Sequence, residues 1–341
     1  MKNKIKRTLI IATLMFLSIT GFADSDCPDG LCNLQLEKLY AYKNMDPSVT
    51  QEQADLINLA YQEFEIDPEK ALQILLEKAE IEKSEAIDFS IASFYYSLEN
   101  FDQSIIWYRK ALEKNETFNR ARANLAQVLI RIDKIDEAVK EFEKVLQTGN
   151  VSSNTYNLIG YAYMLLDKPV SAENAYRQAM LLNRNNKSAL AGLARALLVQ
   201  KRYNECIFAV RELLKEDPRN RDLWYILTNC YSETGQIKEA IKSLETANIL
   251  SDENYNSLIT LGDLYLMNDQ SDYAAVNYHK AFNQTDANPK DIVRAASNLF
   301  DYGNTNEAYR IIENHRKKIS TNTQEEKKLK LIEAGIFINQ Q

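Results

Sequence analysis

Glycine and proline are scarce, at 9 and 6 among 341 residues. So few chain breakers, set in a sequence rich in Ala, Leu, Glu and Lys, favour helix. Histidine occurs only twice, at His279 and His315, which leaves little for a histidine-ligated metal. The sequence has no Gly-rich phosphate loop, no Gly-x-Ser-x-Gly elbow and no His-Glu-x-x-His pair. Phosphate cradling, acyl transfer through a strained serine and zinc-dependent hydrolysis therefore lack the residues that carry them.

Long apolar runs are missing too, apart from Thr8 to Thr20 near the start, which is short for a membrane span. Lys2, Lys4, Lys6 and Arg7 precede that run, and Gly21-Phe22-Ala23 follows it. A basic end, an apolar core and small residues form the pattern of a secretory signal peptide. We expect residues 1–23 to be cleaved before Asp24, giving a periplasmic or secreted product; an uncleaved anchor is the alternative. Cys27 follows Asp26, unlike a lipoprotein cysteine. Removing four basic charges and no acidic ones takes the formal charge from −7 to −11. So acidic a chain is poorly suited to nucleic acid, which needs clustered Lys and Arg.

Four cysteines remain, and export would place them in an oxidising compartment. Cys27 and Cys32 flank Pro28-Asp29-Gly30, a turn sequence that suits a small disulfide loop in an arm over 24–50. Metal or redox chemistry is the weaker alternative there, with no second pair and no nearby histidine. For Cys206 and Cys230 two readings stand: a disulfide stapling neighbouring helices, or two buried thiols.

What is abundant is periodicity. Cutting the chain at Glu85, Asn119, Ser153, Lys187, Arg221, Tyr255 and Pro289 gives seven units of 34 residues without a gap. The eighth residue of each is small: Ala92, Ala126, Gly160, Ala194, Thr228, Gly262 and Ala296. So is the twentieth: Ser104, Ala138, Ala172, Cys206, Ala240, Ala274 and Ala308. The eleventh and twenty-fourth are bulky, as in Tyr95 and Tyr108 or Tyr163 and Tyr176. Two antiparallel helices approach closely only where the crossing residues are small, and bulky neighbours then fill the space beside the crossing. One such hairpin cannot bury its own apolar face, so copies must stack. Residues 51–84 read as an irregular first hairpin, with Asp67-Pro68 starting its second helix. Residues 323–341 read as a C-terminal helix, with Leu329, Ile332, Ile336 and Phe337 covering the last hairpin. His315 replaces the usual alanine of its position, which predicts a loosened end.

This period and these offsets resemble the tetratricopeptide repeat, over 85–322 strongly and over 51–84 weakly. The resemblance implies an all-α, right-handed α-solenoid of stacked hairpins. It also implies a concave groove lined by positions 2, 5, 9 and 12 of each first helix. Here that stripe includes Tyr96, Arg120, Gln127, Asn154, Asn157, Tyr161, Met164, Arg195, Tyr225 and Asn229. Tyrosine offers contact area at low entropy cost, and Asn both donates to and accepts from a peptide backbone. The family's clamp for a C-terminal carboxylate is matched only in part by Arg120, Asn124, Asn157 and Arg195, because the central Lys is missing.

The expected function is a non-enzymatic, exported scaffold or adaptor of the cell envelope that binds a protein or peptide in the groove. No cofactor and no membrane span in the mature chain are expected. The alternative keeps the fold but makes the chain a structural part of a secretion, polysaccharide-export or outer-membrane assembly complex, engaged through its convex face or edges.

Overall fold

A computed structural model describes residues 49–149, 151–251, 253–284, 287–320 and 323–339. The expected signal peptide, the Cys27–Cys32 loop and nearly all of the 24–50 arm lie outside the described residues. Among those described, the structure is all-α, with seventeen α-helices, one short 3-10 turn and no strand. The helices form antiparallel hairpins stacked side by side in the manner of an α-solenoid. The chain divides into two compact units at residue 200.

In the first unit, α1 (Gln51–Phe64) pairs with α2 (Pro68–Ala79), and α3 (Glu85–Ser97) with α4 (Phe101–Lys114). Next, α5 (Asn119–Arg131) pairs with α6 (Ile135–Gln147) and α7 (Ser153–Leu165) with α8 (Pro169–Leu182), and α9 (Lys187–Val199) packs on α8. The second unit opens with α10 (Tyr203–Glu216), packed on α11 (Arg221–Glu233). In turn α11 pairs with α12 (Ile237–Leu250), α13 (Tyr255–Met267) with α14 (Ser271–Phe282), and α15 (Pro289–Asp301) with α16 (Thr305–His315). Finally, α17 (Gln324–Asn339) lies on α15 and α16.

Local chemistry sets the helix ends. Thr50 caps α1, its hydroxyl accepting from the Gln53 N–H while the Gln53 side chain returns to the Thr50 N–H. Asp67 caps α2, with Pro68 in the first turn where its missing N–H costs nothing. The turn inside each hairpin is more demanding. Glu99, Asp133, Asp167, Lys201, Gly235, Asp269 and Gly303 all have positive φ, and all occupy the same place in the 34-residue unit. There the N–H just past the left-handed residue returns to a carbonyl five residues back, as from Asn100 to Tyr95 at 2.8 Å and from Asn304 to Leu299 at 2.9 Å. This is the Schellman stop, which satisfies carbonyls that a helix end leaves without partners. Glycine eases the left-handed residue in only two of the seven.

The close crossings are made as the small residues require. Ala92, Ala126, Gly160, Gly262 and Ala296 are buried, as are Ser104, Ala138, Ala172, Ala274 and Ala308. At the first crossing the helices approach closely enough for the Ser104 hydroxyl to donate to the Ala92 carbonyl at 2.9 Å. Beside the crossings Phe142, Tyr108 and Tyr278 are fully buried. Burying a phenylalanine such as Phe142 contributes roughly 1.5–3 kcal/mol of transfer free energy.

Two expectations for the C-terminal end need correction. His315 does not loosen the last hairpin: its imidazole is buried, with its edge toward the Phe282 ring at 5.5 Å between centroids. On α17, Leu329 and Ile336 are buried and Ile332 packs against the same core, but Phe337 is exposed. Adjacent residues project about 100° apart on a helix, and with Ile336 turned to the hairpin Phe337 falls outside the buried stripe.

Candidate functional site

The first-helix face is built around tyrosines from the second helices. Tyr108 of α4 points its hydroxyl at the Ser93 Oγ of α3, 3.1 Å away, and accepts from the Asn124 amide of α5 at 3.2 Å. Burial pushes this phenol up to about 12, against the pull of those two partners. Tyr278 of α14 repeats the geometry and donates to Asp263 Oδ1 of α13 at 2.6 Å. Arg294 of α15 then places one guanidinium nitrogen 2.8 Å from both Asp263 oxygens. Burial pushes the Asp263 carboxyl up, while Arg294 and Tyr278 pull it down. Through these contacts Tyr108 and Tyr278 each join position 9 of their own hairpin to position 6 of the next. Nearby, Tyr255 donates to Asp291 at 3.0 Å and accepts the Asn288 N–H at 3.1 Å, and Asp291 in turn lies 3.6 Å from Arg294.

Tyr176 of α8 occupies the same place but meets glycines. Its ring lies against Gly160 of α7 and Gly192 of α9. A Cβ built on Gly192 would stand 2.2 Å from the ring, and one on Gly160 would stand 2.7 Å away. Here glycine is required by close approach, since both residues have ordinary helical backbones. The sequence signal for this device is a polar or glycine residue at position 6 facing a tyrosine at position 24 of the preceding unit. Unlike position 8, position 6 is not small in every unit, so a search for constant residues passes over it.

This arrangement divides the expected groove residues. In the first unit Tyr96 and Gln127 are both buried, and the Gln127 amide donates to the Tyr96 hydroxyl at 3.2 Å. They stitch α3 to α5. Arg120 is half-buried, its guanidinium 5.0 Å from the centre of the Phe89 ring. Asn154 is exposed, and Asn157, Tyr161, Met164 and Arg195 are half-buried. These five share the first-helix face of α7 and α9, at the end of the first unit. Tyr225 and Asn229 belong to the second unit. Tyr225 is half-buried with the Arg221 guanidinium 6.0 Å from its ring, and Asn229 is buried.

Cys206 of α10 and Cys230 of α11 are brought together. Both are buried free thiols in this structure. Contact with Cys206, then burial, pushes the Cys230 thiol well above its usual range. Among the described residues no cluster of His, Cys, Asp and Glu is placed to hold a metal ion. Among them, too, no helix is long and apolar enough to cross a membrane.

Comparison with known proteins agrees with this geometry. A family profile of the tetratricopeptide repeat matches residues 222–248, and one for the C-terminal ARM domain of tetratricopeptide repeat protein 21 matches 97–230. Among curated relatives, the STIP1 homologue of Dictyostelium discoideum is 28% identical over 159 residues, or 45% of this chain and 27% of its own length. A TPR repeat-containing protein of Methanocaldococcus jannaschii, MJ1428, is 26% identical over 220 residues, covering 63% of this chain and 32% of its own length. The chain thus spans about a third or less of the curated relatives it matches. Among solved structures, the C-terminal part of a TPR protein from Cytophaga hutchinsonii superposes with a TM-score of 0.59 at 15% identity, covering 71% of this chain and 99% of that one. YrrB, described as a TPR protein with an unusual peptide-binding site, gives a TM-score of 0.50 at 20% identity over 54% of this chain and 95% of its own. The unbroken 34-residue period, the Schellman turns, the small-residue crossings and these matches have one reading: the chain belongs to the tetratricopeptide repeat family.

Proposed function

We propose that this protein is an exported, non-enzymatic adaptor or scaffold of the cell envelope, and that it binds a protein segment along the first-helix face of its first unit. One observation carries the reading. Asn154, Asn157, Tyr161, Met164 and Arg195 keep solvent-accessible side chains on α7 and α9, whereas Tyr96 and Gln127 on the same stripe are buried against each other. The contact surface is therefore narrower than the full stripe. It combines amides for a peptide backbone, an aromatic and a thioether for apolar side chains, and a guanidinium for a carboxylate. The peptide-binding site described for YrrB lends support by analogy of fold only. Export rests on the pattern of residues 1–23.

The test is affinity capture from envelope extracts of the native host, comparing the wild type with the double variant Tyr161→Ala, Arg195→Ala. Loss of specific partners from the variant supports the reading, and an identical partner list refutes it. Amino-terminal sequencing of the mature product tests export, with Asp24 as the expected first residue.

A second reading has its own support. The second helices carry large exposed apolar side chains, among them Val170 and Leu181 on α8, Phe208 on α10, Ile249 on α12 and Val276 on α14. Within the second unit, Phe208, Ile249 and Val276 suit attachment to a larger assembly through its second helices. Charged replacements at Phe208 and Val276 that abolish assembly, with the Tyr161/Arg195 variant silent, favour this reading over the first.

A further inference from the structure

A cleft of about 610 Å³ opens in the second unit beside α14 and α16, and it is lined by the only two histidines of the chain. His279 of α14 and His315 of α16 face each other with ring centres 5.8 Å apart. The remaining walls are Phe282 and Asn283 from α14 and its end, Glu307, Arg310 and Asn314 from α16, and Lys318 from the 3-10 turn that follows. The His315 side chain is only 4% exposed, yet its Nε2 has no hydrogen-bond partner. Its charged neighbours bond to other groups while keeping N–H donors to spare. Lys318 donates to the carbonyls of Phe282 and Gln284 at 2.6 and 2.8 Å. Glu307 takes Arg310 on one oxygen at 2.6 Å and lies 3.4 Å from His279 Nε2 on the other.

We infer that this cleft is a binding site for an oxyanion, a phosphate or carboxylate group, held by His315 Nε2–H, His279, Arg310 and Lys318. The chemistry of the walls supports it. Two imidazoles, a guanidinium, an ammonium and the amides of Asn283 and Asn314 all offer N–H donors. The single carboxylate, Glu307, already has two partners. A buried polar atom left unpaired destabilises the fold, and an acceptor arriving at His315 Nε2 removes that penalty. A metal cation fits less well, because Arg310 and Lys318 already place two fixed positive charges on the walls.

Binding here is tied to protons. Burial, His279 and Lys318 all hold the His315 imidazole below its usual range. An oxyanion reverses this balance, since it adds negative charge beside the His315 imidazole. The other charges facing this region are Glu307 and Arg310 on α16 itself, and Arg316 paired with Glu333 of α17. Affinity for an anion whose own charge stays fixed, such as acetate above about pH 5.5, therefore rises as pH falls. This inference is independent of the groove reading, since its residues all lie in the second unit.

Because the chain has only two histidines, their imidazole NMR signals report on the cleft directly. The experiment titrates the protein with inorganic phosphate and, separately, with acetate at constant ionic strength. The site predicts saturable movement of both imidazole signals at millimolar phosphate or acetate, with the titration midpoint of His315 moved to higher pH. Whichever anion acts at lower concentration identifies the chemistry. Arg310→Gln, at an exposed side chain that leaves the core intact, weakens binding about tenfold, the worth of one charge-assisted hydrogen bond. His279→Gln, which removes the second imidazole beside His315, is expected to weaken binding as well. No movement with either anion overturns the proposal, as does equal movement in Arg310→Gln. Response of both imidazoles to Zn2+ but to neither anion overturns it in favour of a metal site.

Discussion

The ring of Tyr176 fills the space that a side chain on Gly192 would need: a β-carbon there would stand 2.2 Å from the aromatic ring. Tyr176 belongs to one hairpin and Gly192 to the next, so this contact sets how closely neighbouring repeats stack. Gly192→Ala is therefore expected to destabilise the first unit by about 1–3 kcal/mol, despite the better helix propensity of alanine. Tyr176→Leu in the same chain, which removes the ring edge, recovers part of that loss. A double-mutant cycle from denaturant unfolding reads the coupling. Additive effects would show that the two residues do not share the space.

Glu99 and Lys201 adopt a left-handed backbone that glycine adopts freely. Relieving that strain is worth about 1 kcal/mol, partly offset by the greater freedom of glycine in the unfolded chain. Glu99→Gly and Lys201→Gly should each leave stability unchanged or raise the thermal midpoint by a few degrees. The reverse change, Gly235→Ala, should lower it, although a β-carbon on Gly235 meets nothing within 4 Å. A rise in midpoint for Gly235→Ala would remove backbone strain as the explanation of the seven turns.

The Asp263–Arg294 pair is buried on the carboxylate side and bonded to Tyr278. Truncating one partner strands the other. Asp263→Ala is expected to cost about 3–5 kcal/mol, while the joint replacement Asp263→Leu with Arg294→Met is close to neutral. Equilibrium unfolding of the three chains distinguishes a costly single from a mild double. A mild effect of Asp263→Ala alone would mean that the guanidinium reaches water.

His315 makes stability depend on pH. Its imidazole is held below its usual range in the fold, by burial first and then by His279 and Lys318. As pH falls, the unfolded chain takes up the proton first, so the folded state loses ground. The contribution is complete above pH 6.5, the usual value of a free imidazole, and is lost below it. Thermal midpoints from pH 8 to pH 5 should fall for the wild type and fall less for His315→Gln. Equal slopes in the two proteins would remove His315 from the account.

Cys206 and Cys230 lie against each other and both are buried. The raised Cys230 thiol is a poor nucleophile. Under native conditions in reductant-free buffer, protein purified with its thiols reduced should react slowly with a thiol reagent, and denaturant should expose both groups at once. Rapid labelling of either cysteine in the folded protein would contradict their burial.

Much of the architecture was legible from one dimension. The 34-residue period identifies the family because a stacked hairpin needs small residues at fixed crossings and bulky ones beside them, and Ala92 with Ser104 or Ala126 with Ala138 state that need directly. The candidate site was legible only in part. Helical spacing put Tyr96, Gln127, Asn157 and Tyr161 on one stripe, but it could not tell which would be spent on the fold. That choice depends on residues in the facing helix or the neighbouring repeat: Gln127 is taken by Tyr96, Ser93 by Tyr108 and Asp263 by Tyr278 and Arg294, while Tyr161 and Arg195 keep solvent access. His315 is the same lesson at the other end. The sequence by itself determined the repeat, the helices and the small-residue crossings, because these follow from spacing and side-chain volume along the chain. Only the tertiary structure decided which polar residues face one another across hairpins and which stay open to solvent, because those pairings rest on distances between side chains that no local pattern encodes.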